Sequence, residues 1–224
     1  MKNTPLRKLV VFVRRKYRVF RKEHYSKKDI ALLKDKEFVL ISDNCWGGSV
    51  YQWLKRPYNS PFISIGFYGD DYIKLLSNFD YYMNLPLEFV KESRYNYREL
   101  TYPLAKLDDI ELHFTHYKTE EEAKTKWVRR TKRMFETTDR DKYIFKMCDA
   151  WYASKENFKE FHALPLKNKI SFGIESYDDL KLDNHYQVLE KDKKEKNRVA
   201  NGVKLFKVTF IYVHLYQWMK KQLS

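Results

Sequence analysis

The most chemically suggestive run in this sequence is Asp43-Asn44-Cys45-Trp46-Gly47-Gly48. It lies where a short apolar run gives way to a helical one. A thiol at that junction would face the unpaired N–H groups and the positive end of a helix dipole, which lower a cysteine pKa below its usual ~8.5. The same amides could cradle an oxyanion or a phosphate, with Gly47 and Gly48 allowing a ligand close to the backbone. Asn44 and Trp46 would then add a polar contact and a stacking surface. The packing alternative stays open, with Cys45 a small buried hydrophobe and Trp46 a core anchor. The G-x-S-x-G spacing of a hydrolase elbow is absent.

His113 is the candidate general base. In Ile110-Glu111-Leu112-His113-Phe114 the apolar residues alternate with polar ones, so Glu111 and His113 share the face away from the apolar side. His116 is the alternate base, and Asp70 and Asp71 are orienting or substrate-binding acids that could equally be helix-start residues. Cys45, His113, His116 and Cys148 show neither a C-x-x-C pair nor an i,i+4 histidine pair, so no metal is assigned. No G-x-G-x-x-G and no G-x-x-x-x-G-K-S/T occurs, and no cofactor is inferred.

The elements that must position these residues are readable from periodicity. Phe38–Ser42 is an apolar run of buried-strand type, followed by a helix from Gly48 to Leu54. Phe62–Ile65 reads as a second strand leading through Gly66–Asp71 into a helix from Tyr72 to Met83, and Ile110–Phe114 as a third strand. Thr119 and Glu122 form a capping box ahead of a helix whose acids lead and whose cations trail. A strand at Tyr143–Met147, a helix at Lys155–His162, a strand at Lys169–Phe172 and a last helix at Phe206–Lys220 complete the alternation. The stretch from Leu189 to Asn201 reads as a mobile loop. This pattern predicts an α/β fold of three layers, α/β/α, with a mostly parallel or mixed central sheet. Ligands in such folds bind beyond the carboxyl ends of the strands, where Cys45, Gly66–Asp71 and His113–His116 would converge.

A chain of 224 residues with 43% apolar and 17% aromatic residues can bury one sizeable core. The expected organisation is a basic amphipathic N-terminal helical segment over 1–35 and a single α/β domain over 36–224. Two cysteines make no disulfide framework, and no apolar stretch approaches the roughly 20 residues needed to cross a bilayer. A cytoplasmic location, at most peripheral to the inner face of the membrane, is the expectation. The net charge of +14 is uneven: residues 7–28 hold ten Lys or Arg against the single acid Glu23. There Leu6, Leu9, Val10, Val13, Tyr17 and Phe20 form one helical stripe over 6–22. That stripe fits either docking on the chain's own domain or attachment to an anionic membrane surface. Nucleic acid has only charge and scattered aromatics in its favour.

Several separated blocks also carry a resemblance. Ile41-Ser42-Asp43-Asn44-Cys45-Trp46-Gly47-Gly48, Tyr58-Asn59-Ser60-Pro61-Phe62, Asp71–Leu76, and His113–Ala123 with Trp127 and Arg129-Arg130 resemble, in that order, a bacterial domain-of-unknown-function family, numbered nineteen-nineteen, over roughly residues 36–222. Its members are often labelled exopolysaccharide biosynthesis proteins. The resemblance implies a three-layer α/β/α fold and an association with surface polysaccharide, without a reaction or catalytic residues. Asp43 stands where the family pattern has Asn, and Cys148-Asp149-Ala150 replaces a more charged block, so Cys148 is expected only to pack.

Three functions follow as expectations. The first is an enzyme of surface-polysaccharide biosynthesis, a transferase of a phosphorylated, acyl or glycosyl precursor, with Cys45 as nucleophile or its loop as anion cradle. The second is a non-enzymatic module docking on anionic membrane or on an assembly complex. The third is nonspecific nucleic-acid binding.

Overall fold

A computed structural model describes residues 4–224. Four strands, β1 (Val39–Ser42), β5 (Tyr143–Cys148), β6 (Asn168–Gly173) and β7 (His185–Gln187), form an all-parallel sheet in the order β1-β5-β6-β7. A second, antiparallel sheet is built from β2 (Glu88–Val90), β3 (Leu104–Leu107) and β4 (Ile110–His113).

The parallel strands are covered on both faces, as their apolar runs require. Val39, Ile41, Tyr143, Phe145 and Met147 point to one core, against α4 (Gly69–Ser77), α6 (Glu120–Glu136), α7 (Lys155–Ala163) and the antiparallel sheet. Leu40, Ile144, Ile170 and Phe172 point to the other, beneath α3 (Trp46–Trp53), α8 (Gly202–Tyr212) and α9 (Leu215–Gln222). The three-layer α/β/α architecture with a parallel central sheet is the one the alternation of elements predicts.

Several elements differ from expectation, each for a local reason. Phe62–Ile65 is not a strand. Its backbone is broken by Pro61 and by Ser64 at φ 64°, and only Gly66 pairs, exchanging backbone hydrogen bonds with His113. Ile110–His113 belongs to the antiparallel sheet rather than the central one, and both of its faces are buried, Glu111 and His113 included. The helix expected over 72–83 stops at Ser77 and resumes as α5 (Phe79–Met83), separated by Asn78 at φ −136°, ψ 54°. The last helix is likewise two, because Val213 is extended between α8 and α9. Within the stretch 189–201, Lys191 and Val199 form a bridge.

The N-terminal segment folds as α1 (Pro5–Phe20), capped by the Thr4 hydroxyl, and α2 (Lys22–Leu32). Its orientation reverses the docking reading. Arg7 and Arg18 turn inward, Arg7 to Glu190 and Tyr212 and Arg18 to Asp29 and the Trp53 ring, while the apolar stripe faces outward. No helix among the described residues is long and apolar enough to cross a membrane.

Candidate functional site

Strand β1 ends in Asp43-Asn44-Cys45, and β5 ends in Cys148-Asp149. On β5, alternation directs Lys146 to the same face as Ile144 and Cys148, where an apolar residue would be expected. Lys146 is fully buried there, and its Nζ lies 2.7 Å from Asp43 Oδ1, 3.1 Å from Asn44 Oδ1 and 3.0 Å from Cys148 Sγ. Asp43 Oδ2 accepts from the Cys148 N–H at 2.9 Å, and Asn44 Nδ2 donates to the Cys148 sulfur at 3.0 Å. Burial alone would lower the Lys146 pKa, but Asp43 and Cys148 together more than offset it, so the ammonium is held in its charged form. Burial pushes the Cys148 thiol up to about 12. Cys148 is therefore part of a polar knot that clamps the first loop to the second strand, and not simply packing; Asp43 is its anion.

That knot decides what the Cys45 loop can do. Asn44 Oδ1 takes the Trp46 N–H at 3.1 Å, and Trp46 is wholly buried with its indole N–H donating to Thr209. Trp46 is a core anchor. Gly47 and Gly48 are buried as well, and a Cβ on Gly47 would lie 2.7 Å from the Leu40 side chain. Here the glycines permit helix α3 to approach β1, and the first amide of the helix is taken by Asn44. The Cys45 thiol is half-buried beside Thr115, and its pKa is raised by burial, in contrast to the lowering expected from the helix terminus. Desolvation of the thiol outweighs the lowering contacts to Thr115, the backbone and Lys146.

His113 is directed elsewhere. Its imidazole is 2% exposed, its Nδ1 lies 3.2 Å from the Tyr102 hydroxyl, and its Nε2, 3.6 Å from Glu111 Oε2, has no hydrogen-bond partner. The polar neighbours of His113 are thus Tyr102 and Glu111, while those of Cys45 are Thr115, Lys146 and Asp43; the two are not joined as nucleophile and base. Burial lowers the His113 pKa, against the pull of Glu111. Burial would raise Glu111, but the adjacent His113 and hydrogen bonds from the Arg94 N–H and the Ser93 hydroxyl bring it down to about 2. The result is a neutral imidazole beside a permanent carboxylate.

Around this dyad stands an aromatic and basic enclosure that motif reading did not identify. The Tyr68 and Trp151 rings lie 5.0 and 5.3 Å from the His113 ring. The segment 91–103 folds over them: Tyr95 packs on Tyr68 at 4.1 Å, and Tyr97 stacks on Tyr152 at 4.1 Å. Arg98 lies over Trp151 at 4.2 Å and donates to the Ala150 carbonyl, and Arg198 lies over Tyr152 at 3.5 Å. Arg94 closes the fold on Asp71, whose other oxygen accepts from the Glu111 N–H at 3.0 Å. Asp71 is buried as a tie between α4, β4 and this segment, whereas Asp70 is exposed and accepts from Asn157, and His116 is exposed. Gly66 is small because the Trp151 ring occupies the space of any Cβ. At the strand ends, Asp149 accepts from the Ile174 and Val199 N–H groups, yet burial still raises it to about 6.

A family model described as "Domain of unknown function (DUF1919)" matches residues 16–220. The chain belongs to the DUF1919 family. It is also similar to an uncharacterized protein of Haemophilus influenzae, 34% identical over 173 residues that make up 77% of each chain. The DUF1919 match contains every residue of the polar knot and of the His113 enclosure, while the match begins inside α1, so most of that helix precedes it.

Proposed function

We propose that the His113 enclosure binds an anionic glycosyl precursor, a glycosyl phosphate or nucleoside-diphosphate sugar, and transfers its glycosyl group to an acceptor hydroxyl of a surface glycan. One observation carries the reading: a buried imidazole nitrogen without a partner, next to an ionised Glu111, under tyrosines, a tryptophan and arginines at the carboxyl ends of the strands. A buried polar atom left unpaired costs ~1–3 kcal/mol, which a ligand hydroxyl would recover. Aromatic faces suit the apolar side of a sugar ring, and the Arg98 and Arg198 guanidinium groups suit phosphate oxygens.

The chemistry would run as follows. The acceptor hydroxyl gives its proton to His113 Nε2 as its oxygen bonds to the anomeric carbon. The bond from that carbon to the phosphate oxygen breaks, and its electron pair leaves with the phosphate, where Arg98 and Arg198 offset the charge. Glu111 stabilises the imidazolium formed. Cys45 has no part in this scheme; its loop is held by the Lys146 knot.

Calorimetric titration with a panel of glycosyl phosphates and nucleoside-diphosphate sugars tests the proposal. Saturable binding is expected for at least one member, weakened about tenfold or more by Arg98→Gln through loss of a charge-assisted contact. His113→Gln should keep the binding and lose the transfer. No binding across the panel, or binding indifferent to Arg98, would overturn it.

A further inference from the structure

Of the twelve large hydrophobic residues that stand exposed among the described residues, eight lie on α1: Leu6, Leu9, Val10, Phe12, Val13, Tyr17, Val19 and Phe20. Phe20 is 84% exposed and Leu6 71%. A helix normally turns such a stripe to the core. Here Leu6, Leu9, Val10, Val13, Tyr17 and Phe20 span an arc of roughly 100° on the helix, and Val11, Arg7 and Arg18 hold the opposite side against the domain. The inward contacts are specific: Arg18 sits over Trp53 at 4.5 Å and Phe210 at 4.8 Å, and pairs with Asp29 at 3.2 Å. The helix is therefore fixed in place with its apolar edge outward.

The charges beside that edge indicate what covers it. Lys16 borders one side of it and Arg21 and Arg14 the other, all three exposed, and α1 carries no acid. Between α1 and the helices α8 and α9 runs a groove of about 810 Å³, whose walls combine Phe12, Phe206 and Phe210 with Arg14, Arg15 and Lys207. Apolar side chains bordered by cations match the boundary of a bilayer, where acyl chains meet anionic headgroups. A second copy of the chain would set these cations against their like.

We infer that the outer edge of α1 and the adjoining groove are a docking surface for an anionic phospholipid membrane. Leu9, Val13 and Phe20 enter the acyl boundary, and Arg14, Lys16 and Arg21 meet headgroup phosphates. This is independent of the His113 site and would hold the domain at the membrane without a spanning segment.

The test is vesicle flotation of the full chain. Binding is expected to vesicles of phosphatidylcholine mixed with phosphatidylglycerol, to weaken as salt rises, and to be absent with phosphatidylcholine alone. Reversing two exposed cations, Lys16→Glu with Arg21→Glu, should lower partitioning at least ~tenfold, since each basic residue near such a surface contributes about 1 kcal/mol. Leu9→Glu with Val13→Glu should abolish it, while circular dichroism of both variants stays that of the parent because all four side chains are solvent-facing. Equal partitioning of parent and variants, or of neutral and anionic vesicles, would overturn the inference. So would sedimentation showing that the apolar edge joins two copies, or capture of an acidic protein in preference to vesicles.

Discussion

At the scale of single residues, the two groups that organise this molecule are a buried lysine and a buried histidine. Lys146 occupies a core position and is tolerated because Asp43, Asn44 and Cys148 supply its partners within 3.1 Å. Removing one member of a buried pair leaves the other charge uncompensated. Lys146→Met is thus expected to cost ~3–5 kcal/mol in urea unfolding, and adding Asp43→Asn to that variant to recover at least ~1 kcal/mol. A double variant no more stable than the single one would show that Asp43 is not the partner. The sequence held a cue to this pair, since a lysine inside Tyr143-Ile144-Phe145-Lys146-Met147 must find an anion if the strand is buried. That the anion would be Asp43 was not readable, because it depends on β1 and β5 being neighbours across a separation of 103 residues. His113 was legible as a candidate base from its alternation with Leu112, with Glu111 on the same face; the lining of Tyr68 and Trp151 was not, because two separate segments contribute it.

At the scale of elements, local patterning read best where one face of an element is decisive. The N-cap at Thr119, where Glu122 accepts from the Lys118 N–H rather than completing the expected capping box, the strand at β5 and the helix at α7 follow from periodicity and caps. It read worst where tertiary contact overrides local preference. Phe62–Ile65 has strand composition but packs as an irregular bridge between β1 and β4, with the Phe67 N–H donating to the Asp43 carbonyl. The join of α7, β6 and β7 holds a pair of imidazoles that motifs did not reveal: His162 Nε2 and His185 Nδ1 each lie 2.8 Å from the Ser171 hydroxyl. Burial, and then the nearby His185 and Lys169 charges, bring His162 down to about 4, and burial lowers His185 too. Both are neutral in the native state, so their effect on stability is nil above the unfolded value of 6.5. As pH falls from 6.5 through about 4, the unfolded chain binds protons that the native chain refuses, and stability drops. Denaturation midpoints followed over that range should therefore decline less steeply in His162→Gln than in the parent. Parallel slopes would mean that His162 titrates alike in the folded and unfolded chain.

At the scale of the whole molecule, a single parallel sheet with its carboxyl ends beneath the segment 91–103 accounts for where the candidate site lies, and α1 accounts for how the domain could meet a surface. The fold class was legible because strands and helices alternate along the chain. The division into two sheets was not, since nothing local distinguishes β4 from a strand of the central sheet. The segment 91–103 over His113 is held by side chains rather than by a backbone ladder: Ser93 to Glu111, Arg94 to Asp71, Arg98 to the Ala150 carbonyl, Tyr102 to His113, and the Tyr95–Tyr68 and Tyr97–Tyr152 ring contacts. A segment outside helices and strands belongs to the low-stability end of a fold and should exchange its amides readily. Hydrogen–deuterium exchange with and without the tightest-binding glycosyl phosphate or nucleoside-diphosphate sugar therefore tests the site directly. Slower exchange is expected in residues 91–103 and 149–152, and at the same ligand concentration the protection should be smaller in Arg98→Gln. Protection confined to another region, with 91–103 exchanging as before, would contradict the placement of the site.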